Sequence, residues 1–295
     1  MLRKINKLIQ TLVSNINYRK TVNSLEKDVS SYGLNQDKRD EELIVSLTSF
    51  PDRFDNLHLV IKSILRQTLK PDKVILYLDE TVDISSCDLP DSLKELKKYG
   101  VQIETRGVNM KPHKKYYYAM SEHPNSIIIT VDDDIIYPKD MISELYRVHK
   151  TFPDCVVASR SHKILFDEKG NIKKYNDWEW MYPIEEKPSL QLLATGCGGV
   201  LYPPHCMDER LFDISLLMKL SPNADDLWLK VMQILVHTPV VNCNQDIRKK
   251  RVVVDGSQNE SLNSSNVHQN KNDEYMKNLI EYFKLTKNDF VEDNR

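Results

Sequence analysis

Two apolar rhythms alternate along this chain. From Leu43 onward, short runs rich in β-branched residues (Leu43 to Thr48, Lys73 to Leu78, Val101 to Glu104, Ile127 to Val131) are separated by stretches with apolar residues three and four apart. The runs predict strands buried on both faces, and the stretches between them predict helices from Leu57 to Gln67, Ser92 to Tyr99 and Lys114 to Ser121. Gly100 suits the end of the second helix. Such alternation predicts an α/β domain with a mostly parallel sheet flanked by helices. Ligands of such sheets bind at the carboxyl ends of the strands. Thr48, Asp79, Arg106 and Asp132 to Asp134 sit at or just past predicted strand ends, so they are expected to converge on one crevice.

Ahead of this region, Leu2, Ile5, Leu8, Ile9, Leu12, Val13 and Ile16 form a helical stripe with basic residues beside it. It reads either as an interfacial helix drawn to anionic lipid or as a helix docked on its own domain or on a second subunit. Thr21 to Glu42 is polar and reads as a linker. Beyond the fourth strand, Pro138 suits the first turn of a helix from Lys139 to Lys150. The rest is less regular: a short strand at Cys155 to Ser159, then four aromatics within Tyr175 to Tyr182, which either stack on sugar rings or belong to the core.

The chain has eight glycines, and three of them, Gly196, Gly198 and Gly199, fall within four positions. Such clustering in a strand context means that a ligand or another backbone comes close, or that the chain bends tightly. Asp225-Asp226 opens a helix running to about His237. Arg248 to Arg251 is a run of four cations, read as a solvated face or a phosphate contact. Asp255 to Asp273 reads as a mobile loop and Tyr275 to Phe283 as a closing helix. The expected divisions are 1–42 (helix and linker), 43–137 (first half of the α/β domain), 138–245 (its second half) and 246–295 (lid and helix).

Composition narrows the class. A formal charge of -2 over 295 residues argues against a nucleic-acid partner. The first twenty residues carry +5 without an acid, which leaves -7 for the remainder. Five scattered cysteines without a CxxC pair suit a reducing cytoplasm. No signal peptide or membrane-spanning run is evident. The expectation is a cytoplasmic protein, at most touching the inner face of the membrane through residues 1–20, with a homo-oligomer left open.

The candidate chemistry centres on Asp132-Asp133-Asp134. Three carboxylates where a core strand ends are costly unless a cation sits among them. In extended backbone Asp132 and Asp134 point one way and Asp133 the other. Two hard oxygen ligands on one side suit a hard divalent ion with positions left open for phosphate oxygens; a solvated acidic turn is the plain alternative. Asp225 and Asp226 at a helix start can serve its dipole. In their apolar setting they can also gain the basicity to deprotonate an alcohol.

The block Ile44 to Arg53, the helix end Ser63 to Thr68 and Ile129-Thr130-Val131-Asp132-Asp133-Asp134 together resemble the nucleotide-sugar glycosyltransferases of the GT-A (Rossmann-like) fold with their DXD signature. The likeness spans roughly residues 43–240 and is closest to bacterial enzymes of capsule and surface polysaccharide synthesis. It implies that Asp132 lies near the donor ribose and sugar, and that Asp134 binds Mn²⁺ or Mg²⁺ bridging the diphosphate. Thr48, Phe50, Arg53 and Asp79 would line the nucleoside, with Lys115 and Asp133 also on the donor. Gly198 and Gly199 would leave room for the sugar. Asp226, beside Asp225, would supply the base of an inverting reaction, and His268 would stand where many such enzymes place a late metal ligand. The donor would be a UDP-sugar and the acceptor a saccharide or lipid-linked saccharide. Retaining stereochemistry stays open, as do two other functions: a nucleotidyltransferase acting on sugar phosphates, and a non-catalytic sugar- or cation-binding module. The first usually carries a Gly-rich loop after its first strand, which Ser49 to Arg53 lacks.

Overall fold

The computed structural model describes residues 2–83, 89–107, 109–183, 185–243, 245–256 and 270–291. Helix α1 spans Leu2–Lys27 and is followed by β1 (Leu43–Thr48), α2 (Phe54–Leu65), β2 (Lys73–Asp79), the single turn α3 (Asp91–Lys94) and β3 (Gln102–Arg106). Next come α4 (Lys114–Glu122), β4 (Ile127–Thr130), β5 (Ile135–Ile136), α5 (Met141–Thr151), β6 (Val156–Ala158) and β7 (Ser161–Lys163). The second half contributes β8 (Leu192–Ala194), β9 (Val200–Tyr202), α6 (Ile214–Leu220), α7 (Asp225–Leu235) and β10 (Val240–Asn242). The described chain closes with α8 (Gln245–Lys250), β11 (Val252–Val253), α9 (Lys271–Phe283) and α10 (Lys287–Phe290).

Seven strands form one sheet in the order β10-β6-β9-β4-β1-β2-β3. Every neighbouring pair is parallel except β9, which runs against both β4 and β6. This is the expected mostly parallel sheet flanked by helices, the arrangement of a GT-A Rossmann-like fold. Alternation along β1 shows why it forms. Val45 and Leu47 join a core with Leu57, Val60, Ile61 and Ile64 of α2. Ile44 faces the other way onto Ile75, Tyr77, Ala119 and Ile128. Each such side chain, fully buried, contributes about 1.5–3 kcal/mol over leaving it in water, so β1 must lie between two helical layers. Ser46, also buried, donates its hydroxyl to the Lys115 carbonyl and ties β1 to α4.

Three expectations are corrected. Helix α1 continues through Lys27, because Tyr18, Val22 and Leu25 extend the apolar stripe onto the core. Its last turns are fixed to α2 by Lys62 Nζ on Glu26 Oε1 at 2.7 Å and by Arg66 on Ser24. The segment after it is pinned rather than loose, since Asp72 accepts bonds from Asn35, Arg39 and the Leu43 amide. Pro138 lies before the helix rather than within its first turn. Ile135 and Ile136 pair antiparallel with Val253 and Val252, so the chain is still extended there, and α5 starts only at Met141. Among the described residues no helix is long and apolar enough to cross a membrane.

Candidate active site

The carboxyl ends of β1, β2, β4 and β6 open into one crevice of about 920 Å³, lined by Thr48, Phe50, Arg53, Asp79, Asp132, Asp133 and Asp134 among others. Convergence at the strand ends therefore holds for all the expected positions but one. Arg106, on edge strand β3, lies back along the sheet with Nε 2.8 Å from Glu122 Oε1 and its guanidinium over the Tyr77 ring, outside the crevice.

The three aspartates do not alternate as extended backbone would have them: the chain turns at Asp133 and Asp134, and these two share Arg53 while Asp132 meets Lys115. Asp133 turns inward, accepting a 2.6 Å bond from Ser49 Oγ and a close ion pair from Arg53. Asp133, which also lines the crevice, fixes Arg53, whose guanidinium stacks 5.2 Å from the Phe50 ring centroid and reaches Asp134 Oδ2 at 3.4 Å. Burial, then the charges of Asp132 and Asp133, pushes the Asp134 pKa up to about 6. The Asp134 carbonyl accepts from the Val254 amide at 2.8 Å, and the Asp132 amide donates to the Tyr137 hydroxyl at 2.9 Å. Backbone bonds thus hold both outer aspartates. Nearer the sheet edge, Thr48 donates its hydroxyl to the Tyr77 carbonyl, and Lys114 Nζ lies 2.9 Å from Asp79 Oδ2.

Lys115, at the start of α4, joins the two acidic groups. Its Nζ lies 2.7 Å from Asp132 Oδ1 and 2.8 Å from Asp225 Oδ2. The first contact is a directed hydrogen bond, whereas the second is an ion pair with no hydrogen-bond geometry. Burial would lower the lysine's pKa, but Asp132, Asp225 and Asp226 hold it well above the ordinary value. Asp226 lies at the crevice floor with part of its surface still open to solvent, and its Oδ1 accepts from the Gly196 amide at 3.1 Å. Desolvation, then the neighbouring Asp225, pushes its pKa up to about 8.

The expectation that Gly198 and Gly199 leave room for a sugar is corrected. A Cβ on Gly198 would meet Ser159 Oγ at 2.2 Å, and one on Gly199, whose φ is +84°, would meet Met141 Sδ at 2.9 Å. Both glycines therefore admit protein. Gly196 is the one that faces the site, where a Cβ would press on Lys115 Nζ at 3.0 Å and Asp132 Oδ1 at 3.1 Å. The aromatic cluster divides as well: Trp178 joins the core, Tyr175 belongs to the core and also lines the crevice, and Trp180, 40 % exposed, stacks on His162 at 4.8 Å and lines the crevice. Arg160, Lys114, Cys197 and Asn272 also line it and were not anticipated. Arg160 follows the end of β6, so the strand-end rule applied to Asp79 would have found it. His268 lies outside the described residues.

His113 holds this geometry together. It is fully buried, with Nδ1 2.9 Å from the Tyr116 hydroxyl and Nε2 2.8 Å from the Ser221 carbonyl, and so links the start of α4 to the loop before α7. Nε2 must carry the proton for the Ser221 bond, and Nδ1 then accepts from Tyr116. Burial pushes its pKa down to about 4. Because the folded value is depressed, its contribution to stability is complete above the ordinary histidine pKa near 6.5 and is lost as pH falls toward 4. That loss is worth roughly 3 kcal/mol. Urea unfolding at pH 7.5 and 5 should show about 2 kcal/mol of it, and His113→Asn should shrink the difference by that amount while leaving the share of His162, whose pKa burial pushes down to about 3.

Whether a divalent metal fits can be judged from the donors. Among the described residues no group of three His, Cys, Asp or Glu side chains is placed to hold a metal ion. Asp132 and Asp134 nonetheless bring hard carboxylate oxygens to one crevice, where burial and then neighbouring negative charge raise the Asp134 pKa. The pair fits Mn²⁺ or Mg²⁺ taking its other ligands from water and substrate phosphates.

A mostly parallel sheet with acidic groups gathered at its carboxyl edge places the chain in the GT-A class of folds. The model of the family "Glycosyl transferase family 2" matches residues 49–200, just over half of the chain, and the chain belongs to that family. No curated protein matches it in sequence. Among solved structures, it is similar to CMP:2-keto-3-deoxy-manno-octonic acid synthetase complexed with CTP, with a TM-score of 0.40 and 10% identity over 69% of this chain and 89% of that one. It is also similar to glucosyl-3-phosphoglycerate synthase from Mycobacterium tuberculosis in complex with Mn²⁺, UDP-glucose and phosphoglyceric acid. There the TM-score is 0.32 and the identity 13%, over 43% of this chain and 50% of that one.

Proposed function

We infer that the protein transfers a sugar from a nucleoside-diphosphate donor, UDP-linked, to a saccharide or lipid-linked saccharide acceptor in surface polysaccharide synthesis. The observation that carries this reading is the placement of Asp226: a carboxylate with a raised pKa, held by the Gly196 amide, in the same crevice as Asp132 and Asp134. Asp134 and Asp132 would hold Mn²⁺ or Mg²⁺, which when bound neutralises charge on a leaving diphosphate. Thr48, Phe50 and Asp79 would flank the nucleoside, and Arg53 would add positive charge beside Asp134. Lys115 keeps Asp132 and Asp225 in place. Asp226 would remove the acceptor hydroxyl's proton as the anomeric carbon passes through an oxocarbenium-like state, with inversion. Residues 43–137 would form the donor half and 138–245 the acceptor half, at the cytoplasmic face of the membrane.

Incubation with a panel of UDP-sugars, Mn²⁺ and candidate acceptors should release UDP. Failure to bind any nucleoside diphosphate in Mn²⁺ would overturn the reading. Asp134→Ala should abolish metal-dependent transfer and weaken Mn²⁺ binding at least tenfold by titration calorimetry, without unfolding the chain.

A further inference from the structure

Six lysines and arginines line the crevice, and four of them meet a side-chain oxygen: Arg53 on Asp133, Lys114 on Asp79, Lys115 on Asp132, and Lys111 on Asn223. Arg160 and Arg251 differ. Among the described residues neither reaches a carboxylate. Instead, their NH1 atoms both donate to Cys197 Sγ, at 2.7 Å and 3.1 Å, Arg251 NH1 is shared with the Cys197 carbonyl at 3.1 Å, and Arg160 Nε is buried without a partner. A thiol is a weak acceptor, and two guanidinium groups on one sulfur repel each other unless an anion joins them. Their donor forks match phosphate and carboxylate.

Strand order says which substrate they meet. Along the carboxyl edge the sequence is β2, β1, β4, β9, β6, and Arg160 lies two residues beyond the end of β6. With neighbouring strands about 4.8 Å apart, Arg160 stands roughly 10 Å past the β4 acids, on the side away from Asp79. A donor with its nucleoside at Thr48 and Asp79 and its diphosphate at Asp132 and Asp134 would present its sugar toward this end. Here Trp180 offers an exposed ring face, and Asn272 of α9 offers a buried Oδ1 without a partner.

We propose that the acceptor is an anionic saccharide, its phosphate or carboxylate gripped by Arg160 and Arg251 and its ring laid on Trp180. This assignment rests on the donor reading given above.

Titration calorimetry on the full chain, with and without UDP and Mn²⁺, tests it with three probes: glucose 6-phosphate, glucuronate and glucose. The two anionic probes should bind at least tenfold more tightly than glucose. Arg160→Gln and Arg251→Gln should each weaken them at least tenfold while leaving UDP affinity within twofold. Arg160→Lys, which keeps the charge but not the fork, should restore part of the loss, and an unchanged near-UV spectrum shows that each variant is folded. Equal affinity for glucose, or indifference to the substitutions, overturns the proposal. So does a parallel loss of UDP affinity, which would give the arginines to the donor diphosphate. If wild-type protein takes no UDP, the donor reading fails. The probes without UDP then decide the arginine pair by themselves: loss of anion binding in Arg160→Gln supports it, and no change overturns it.

Discussion

Asp226→Asn is expected to lower turnover by about 10²–10⁴-fold, the usual contribution of a general base, while UDP binding in Mn²⁺ stays unchanged. The asparagine keeps the size of the side chain and can still accept from the Gly196 amide, so the loss isolates proton transfer from architecture. The pH profile gives a second readout. With a pKa near 8, Asp226 in the free protein is mostly protonated at neutral pH and cannot act as a base until it ionises. The kcat/KM of wild-type protein should therefore climb as pH rises toward 8, and that limb should vanish in the variant. Near-normal turnover by Asp226→Asn would place the base elsewhere.

Lys115→Met is expected to cost about 3–5 kcal/mol of stability, the penalty for leaving a buried charge without its partner. Asp132 and Asp225 would both lose their cation, and the lysine side chain is only 7% exposed. Charge, rather than lost packing, sets the size of the effect, because methionine fills much the same volume. The double variant Lys115→Met with Asp225→Asn should recover part of the loss by removing one orphaned carboxylate. Urea unfolding of the set measures this; a loss under about 1 kcal/mol would mean that the acids are satisfied by other means.

The frame of the domain was legible because its strands are buried on both faces. β1 begins and ends where its apolar run does, and the helices on either side follow from simple spacing. The place of the acidic tip at a strand end was legible for the same reason, but the expected alternation was not met: the chain turns at Asp133 and Asp134, which share Arg53, while Asp132 meets Lys115. What escaped was long-range. Whether a glycine faces a ligand or a helix depends on what lies across from it, and Met141 and Ser159 decide that for Gly199 and Gly198. Likewise Arg106 ends a strand at the sheet's edge, where α4 rather than the crevice supplies its partner. The two-residue pairing of β5 with β11 joins positions far apart in the chain, and no local pattern signals such a bond.

That pairing also orders events during synthesis. The loop bearing Asp134 leaves the ribosome early, with the strands that make up most of the sheet. Its antiparallel brace, Val252 and Val253, and the Val254 amide that caps the Asp134 carbonyl, come much later. Domains begin to fold from the amino end as they are made. A nascent chain can therefore assemble its central layers while its acidic tip still lacks its main-chain partners, so the chemistry of the crevice matures last.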